Sequence, residues 1–478
     1  MTSISGDIVS AARSLAALQG YVQHDGRPYV EYPPLLPTIL APIKLIGIDP
    51  VHSVRFLNAF CFGLIIFVAG RWLCRSIDSL ALALLGTAAV VLSLPLISVT
   101  NYAWSDPIFA LFLLLFVFEI EKYLENGEAA SFYLSICYAA LCCLARYIGV
   151  SAILTGMILL IIGRKDALRT RFKRVLVFGF LAALPTLVWL LRNYSITAGA
   201  TGERGASEIT FAKNVYYAAS ILSGWFLPGQ IPVAPRIIVL GLILAGMAAW
   251  LIRSAGSSRQ DETAGAKIQK VLPSFALVVV YALTLLIVAS IVALDRLSSR
   301  FLAPIYVPVF LLLVFIVDDV RQAAIRVFFR KAVNVVFVGA FLLWLLFPLR
   351  YVTRDVRHFA RNGAGGYSSV QWRSSDLIRY LEQQPLDGRV YSNEPYAVHI
   401  LTGLPAALSP RKHLFNAPKS RTEDLALFTE ALASGRETRL VWFANVDRPY
   451  LYDIDELGES FTVEVLEKRL DGSVYLIK

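Results

Sequence analysis

Residues 295–321 read DRLSSRFLAPIYVPVFLLLVFIVDDVR, and from Phe301 to Val317 there is no charged side chain. A helix rises about 1.5 Å per residue, so this run approaches the ~30 Å hydrocarbon layer of a bilayer. Asp295, Arg296 and Arg300 precede it, and Asp318, Asp319 and Arg321 follow it. An apolar run marked by charge at both ends predicts a membrane-crossing helix.

Similar runs lie on either side, at 53–73, 79–98, 106–124, 131–145, 148–163, 174–191, 236–252, 272–294 and 332–349. The pair at 131–145 and 148–163 is short and meets at Arg146, which predicts a helical hairpin or a broken span. Hydrophobic residues make up 56% of the chain and charged ones only 17%, with a mean hydropathy of +0.60. Soluble domains carry roughly 25% charge. The fold class expected is therefore a mainly α, polytopic membrane protein of about ten spans, followed by a soluble α/β domain. The boundaries expected are 1–50 for a juxtamembrane segment, 51–350 for the spans and 351–478 for the soluble part.

The net charge is +10. Much of it lies in short loops between apolar runs, where it sets topology. No basic, aromatic-interleaved surface segment suggests nucleic acid as a partner. Cys61, Cys74, Cys137, Cys142 and Cys143 all fall in or beside apolar runs, with no disulfide or metal-ligand spacing. One set of loops holds Arg71, Arg75, Lys122, Arg164, Lys165, Arg169, Arg171, Lys173, Arg174, Arg253, Arg259, Lys267, Lys270, Arg321, Arg326, Arg330 and Lys331. The alternate loops hold far fewer cations, so the first set is read as cytoplasmic. Residues 1–50, the 193–235 loop and the C-terminal domain then fall on the outer face. No signal peptide precedes them, and the reading expects a first crossing helix upstream of Met1, lost through a late-assigned start.

Residues 7–20 (DIVSAARSLAALQG) predict a helix stopped at Gly20, with Asp7 either functional or a first-turn residue. Pro33 and Pro34 force an extended entry to a short interfacial helix. Ionisable groups at membrane depth are functional candidates. The outer-face set is Asp7, Glu31, Asp106, Arg146, Arg192, Arg204, Asp295, Arg296 and Arg300. A carboxylate there can act as a general base or hold a divalent cation, and an arginine can bind phosphate through its planar fork. A cavity with both suits a lipid-phosphate substrate.

Five stretches, in this order, carry a resemblance: GDIVSAARSLAALQG with EYPPLLP; SDPIFALFLLLFVFEIEKYLENG; LARYIGVSAIL; WLLRNYSITAGATGERG; and DRLSSRFLAPIYVP. Together they make the chain similar to the polyprenyl-phosphate-sugar-dependent glycosyltransferases of the GT-C superfamily. The nearest branch holds the protein O-mannosyltransferases and lipid A aminoarabinose transferases. The resemblance implies inverting transfer, on the outer face of the bacterial cytoplasmic membrane, from a polyprenyl-phosphate sugar donor. The acceptor hydroxyl is left open as one on a protein, lipid or glycan.

By position, the resemblance implies Asp7 as catalytic base and Arg300 as donor-phosphate anchor. It implies Glu31 and Asp106 as substrate or cation ligands, and Tyr32, Arg146 and Arg204 as substrate-binding. Tyr32 stands where relatives often have a phosphate-contacting lysine. No nucleotide cofactor is implied, in keeping with the absence of a nucleotide-binding loop.

In the tail, QWRSSDLIRYLEQQ and TEDLALFTEALASG predict helices and GRVYSN and TRLVWFAN predict strands. FTVEVLEKRL and GSVYLIK predict a terminal hairpin. YSNEPYAVHILTG predicts a strand turning into a helix capped by Ser392 or Asn393, with His399 packed on it. The competing function is a membrane transporter or lipid flippase; against it, the halves show no inverted repeat and the charges gather at one face.

Overall fold

The structure, a computed structural model, describes residues 3–163, 167–257, 262–325, 329–414, 420–433 and 437–478. Of the loop cations used for sidedness, Arg164, Lys165, Arg259 and Arg326 lie outside these residues.

The chain opens with α1 (Ser3–Ala16) and α2 (Leu35–Leu45), joined by the loop that carries Glu31 and the two prolines. The first helix ends at Ala16, before Gly20, because Leu18 already turns left-handed at φ 59°. Asp7 sits within α1 and caps nothing. α3 (Pro50–Ser76) starts where Asp49 accepts the Val51 amide, with Pro50 at its first position. α4 (Leu80–Val91) and α5 (Leu94–Thr100) share one apolar run, broken where the Ser93 hydroxyl caps the second piece ahead of Pro95.

α6 (Asp106–Asn126) and α7 (Ala129–Ala145) pack closely, α6 ending at Gly127 in the left-handed region. After α7 the backbone extends through Arg146 (φ −153°, ψ 137°), makes one 3₁₀ turn and re-enters as α8 (Val150–Ile162). A Cβ on Gly149 would lie 2.4 Å from the Cys142 carbonyl, so only glycine lets the chain fold back this tightly. The break leaves the Arg146 side chain at the end of both helices.

α9 (Leu168–Thr197), α10 (Phe211–Ser223), α11 (Val233–Ser257) and α12 (Glu262–Ile291) follow. The one-turn α13 (Ser299–Leu302) leads into α14 (Tyr306–Ile325), and α15 (Arg330–Asn362) completes the bundle. Seven helical stretches among the described residues are long and apolar enough to cross a membrane. The other three expected spans are α6, which carries charges near its far end, and the shorter α7 and α8. The chain is a multi-pass membrane protein. One apolar core runs through the bundle, and the large apolar side chains left exposed, such as Phe56, Phe67, Leu191 and Val335, sit on its outer surface. In a bilayer that surface faces lipid rather than water.

The tail forms α16 (Val370–Arg373), α17 (Asp376–Gln383), β1 (Arg389–Ser392), α18 (Pro395–Thr402), β2 (Ala407–Leu408), α19 (Thr422–Ala433), β3 (Thr438–Phe443), α20 (Ile454–Gly458), β4 (Val463–Arg469) and β5 (Gly472–Ile477). The single helix expected over QWRSSDLIRYLEQQ is broken at Ser374, because the Ser375 hydroxyl caps α17 by accepting the Ile378 amide. The five-stranded sheet has the order β2-β1-β3-β5-β4, parallel between β1 and both its neighbours and antiparallel in the β3-β5-β4 part. Neither Ser392 nor Asn393 caps α18. The Ser392 hydroxyl accepts the Glu394 amide, and the Asn393 amide group spans two carbonyls on the β3 side.

Candidate active site

α18 plugs the tail onto the N-terminal helices. Ala397 joins Ile8, Val9, Ala12, Leu36, Leu40, Val54 and Tyr367 in a separate small core. Gly6 permits this contact, since a Cβ there would stand 2.4 Å from the Tyr396 ring. Behind it, Glu394 is buried, accepting from Tyr367 and ion-paired with Arg448. The loop that follows α9 is tied to the tail by an Arg421–Glu203 ion pair.

This docking brings the Tyr396 hydroxyl onto Asp7 Oδ1, to which it donates a hydrogen bond. The same hydroxyl is 3.4 Å from Gln23 Oε1. Asp7 is only 4% exposed. Its Oδ2 accepts nothing from the described residues. Burial pushes the Asp7 carboxyl well above the ordinary carboxylate range, and the nearby Glu31 charge pushes it the same way; the Tyr396 hydrogen bond pulls it back. Glu31 itself is exposed, and its backbone carbonyl accepts from Arg204 Nη2 at 2.8 Å.

A second charged centre is built on Asp106, 1% exposed at the first turn of α6. Its Oδ2 lies 2.6 Å from Arg146 Nη1 and 3.2 Å from Arg300 Nε, while its Oδ1 is buried with no partner. The Arg300 guanidinium also lies 4.0 Å over the Trp104 ring, and Trp104 stacks on Tyr102 at 4.3 Å. One carboxylate thus holds two planar cations whose remaining N–H groups point away from it. Arg300 and Arg146 keep 14% and 16% of their side-chain surface open.

Tyr32 links the two centres. Burial raises the pKa of its hydroxyl, Asp7 and Glu31 raise it further, and Arg204 and Arg300 lower it, so both centres lie within electrostatic reach of this one side chain. Arg192 serves another purpose. It donates to the carbonyls of Tyr29 (2.9 Å) and Tyr21 (3.3 Å) and covers the Trp189 ring at 4.8 Å, pinning the loop between α1 and α2. Asn193 and Tyr147 brace the same loop through the Val30 carbonyl. Arg296 lies 4.1 Å over the Tyr217 ring. Beside Arg192 opens an apolar groove of about 590 Å³, between Tyr21, Pro34, Leu144, Leu184 and Trp189.

The geometry thus places Asp7, Glu31, Tyr32 and Arg204 around one centre and Asp106, Arg146 and Arg300 around the other. Tyr396 escaped the sequence reading, because 389 residues separate it from Asp7 and EPYAVHILTG shows only an ordinary helix start. Trp104 could have been found, two residues before Asp106 in a polar bend.

The fold has known counterparts. ArnT from Cupriavidus metallidurans superposes in its apo state with a TM-score of 0.57 and 13% identity, over 99% of this chain and 93% of that one. Its structure bound to undecaprenyl phosphate gives 0.55 and 12%, over the same shares. The oligosaccharyltransferase AglB from Archaeoglobus fulgidus, in complex with an inhibitory peptide and a dolichol-phosphate, gives 0.54 and 11%, over 99% and 70%. AglB also matches in a complex with Zn and sulfate. This chain has the GT-C fold. No protein-family model matches the sequence, and no curated protein matches it either. At these identities the likeness is one of architecture, and the GT-C frame is what holds the two charged centres at one end of the bundle.

A metal seat at Glu31 and Asp106 does not fit this arrangement. Asp106 faces two guanidinium groups, which repel a cation, and no group of three or more ligating side chains occurs among the described residues.

Proposed function

We propose that this protein is a membrane glycosyltransferase that moves a sugar from a polyprenyl-phosphate donor to an acceptor hydroxyl, with inversion, on the outer face of the cytoplasmic membrane. The observation that carries the reading is the presence, in one GT-C frame, of a buried carboxylate with an open oxygen and a pair of arginines gathered on a second carboxylate. ArnT and AglB, which share the frame, bind undecaprenyl phosphate and a dolichol-phosphate respectively. The groove beside Arg192 gives a polyprenyl chain an apolar channel to the same face.

The donor phosphate sits against Arg300 and Arg146, which Asp106 holds in place, with Tyr32 and Arg204 beside it. The acceptor hydroxyl approaches Asp7 Oδ2. Its oxygen attacks the anomeric carbon as its proton passes to Asp7. The bond from that carbon to the phosphate oxygen breaks, and the electron pair leaves with the polyprenyl phosphate. The arginines stabilise the negative charge that grows there. The raised Asp7 pKa suits this task, because a carboxylate poised nearer the working pH takes a proton more readily. Tyr396 fixes Oδ1 and so aims Oδ2.

The test is transfer of radiolabelled sugar from polyprenyl-phosphate donors by membranes containing the protein or its Asp7→Asn variant. Label transferred by the parent and lost in a folded variant is the expected result. Equal transfer by both would remove Asp7 as the base, and no transfer from any donor by either would remove the reaction.

A further inference from the structure

The last turns of α15 carry Arg350, Arg354, Arg357 and Arg361. At about 100° per residue these four fall within an arc of roughly 60° on the helix surface. With His358 and Gln230 they line a cavity of about 560 Å³, completed by Tyr351, Thr353 and Asn362. One carboxylate answers four guanidinium groups: Asp355, 3.2 Å from Arg354. Arg350, Arg357 and Arg361 have no ion-pair partner among the described residues.

A solvated helix face does not need this pattern. Like charges four residues apart weaken a helix, and two such pairs stand here. Nor is it a topology signal, because cations gather on the cytoplasmic side of a span whereas this stripe lies at the same end as Asp106. The chain proves that placement. Asn362 closes the cavity, Gly365 packs beside the Tyr102 hydroxyl, and Tyr102 stacks on the Trp104 that lies under Arg300.

We propose that this groove docks an acidic glycan chain, one bearing a carboxylate or phosphate on successive sugars. The arginines climb the helix in steps of roughly 4.5–6 Å, close to the repeat of one sugar. They rise about 16 Å in all, past a headgroup layer of roughly 5–8 Å, so a single lipid headgroup reaches only the lower half. The walls are of mixed character, and Gln230, Thr353 and Asn362 among them supply hydroxyl and amide partners for sugar hydroxyls. A planar guanidinium fork binds carboxylate and phosphate in two-pronged fashion. As the acceptor's docking site the groove rests on the glycosyl-transfer reading; as a glycan site it does not.

The experiment is binding without donor, so its failure is separate from any failure of transfer. The protein in phosphatidylcholine nanodiscs is titrated with oligogalacturonate, which has a carboxylate on every sugar, and with a neutral oligoglucan of equal length. Acidic but not neutral chains should bind, salt should weaken the binding, and R350Q/R357Q/R361Q should weaken it about tenfold or more. These exposed positions leave the helix intact, which circular dichroism checks. Equal binding by parent and variant, or no binding of the acidic chain, overturns the proposal. So does the loss, in the variant, of thermal stabilisation by phosphatidylglycerol alone, since the occupant is then a lipid headgroup.

Discussion

Asp7 and Asp106 are two aspartates at one end of the same helix bundle, both almost fully buried, with opposite surroundings. Asp106 is gripped by two guanidinium groups. Asp7 has none within hydrogen-bond reach and is faced instead by a tyrosine hydroxyl and the charge of Glu31. A carboxylate between two cations is placed to hold them. A carboxylate that is desolvated beside a like charge holds a proton more strongly and can accept one during reaction. The residue type is the same in both places, so the neighbours decide the role.

The sharpest break of this contrast is to remove each carboxylate in turn. Asp7→Asn should leave folding nearly unchanged, as the amide still accepts from Tyr396, and should lower transfer about 10²–10⁴-fold. Asp106→Asn should act first on stability, since it leaves two largely buried guanidinium groups without a counter-ion. Losing one partner of such a pair costs about 3–5 kcal/mol. Thermal unfolding in detergent measures that loss. Arg300→Ala, which removes the proposed phosphate contact, should raise the donor KM and lower kcat together. Should Asp106→Asn instead unfold normally and lose only kcat, the anchor role is wrong.

A finer test uses pH. The Tyr396 hydrogen bond favours the ionised form of Asp7, so Tyr396→Phe removes a lowering influence and raises the carboxyl pKa further. The rising limb of kcat/KM against pH should then move to higher pH, with activity recovering on the alkaline side. Glu31→Gln removes a like charge and should move the limb the other way, whatever it does to its height. Substitutions at Arg146 or Arg300 should change the height with a smaller displacement. A limb that stays in place in both Tyr396→Phe and Glu31→Gln would mean that the titrating group is not Asp7.

Much of this arrangement was legible in the sequence because it rests on local physics. The apolar runs, the prolines at 33 and 34 and the charges at the ends of runs each state their own cost, and they delivered the fold class; Asp7 and Asp106 were singled out as outer-face carboxylates, with their roles implied by the resemblance. Arg146 was visible for the same reason, as a charge interrupting an apolar stretch. The split roles were not visible, because the partners of both aspartates come from distant elements: Tyr396 from the tail, Arg300 from the entry to α14. The α18 cap was misread because Ser392 and Asn393 are good cap residues with other partners: the Ser392 hydroxyl takes the Glu394 amide, and Asn393 bonds both backbone groups of Phe443 in β3. The stripe on α15 was passed over because it continues an apolar helix past its expected end at 349.

The smallest expected effect concerns how the tail stays on Asp7. His24 and His399 stack at 4.5 Å, with Arg13 3.5 Å from the His399 ring and the Ala406 carbonyl bonded to His24. Burial, then the neighbouring His24 and Arg13, lower the His399 pKa to about 4, and burial lowers that of His24 as well; Asp25 acts weakly in the opposite sense. The unfolded value is about 6.5. Both rings are therefore neutral in the docked state, and docking strength is complete above pH ~6.5. As pH falls towards 4 the undocked rings take up protons that the docked ones refuse, which costs on the order of 1–3 kcal/mol. Protection of the α18 amides, taken relative to their intrinsic exchange rate at each pH, should accordingly fall between pH 7 and pH 5, and less so in His399→Phe, which keeps the stack and loses the titration. If that protection is flat over the window while Tyr396→Phe still shifts the Asp7 limb, the histidines are packing alone and Tyr396 holds the base without their help.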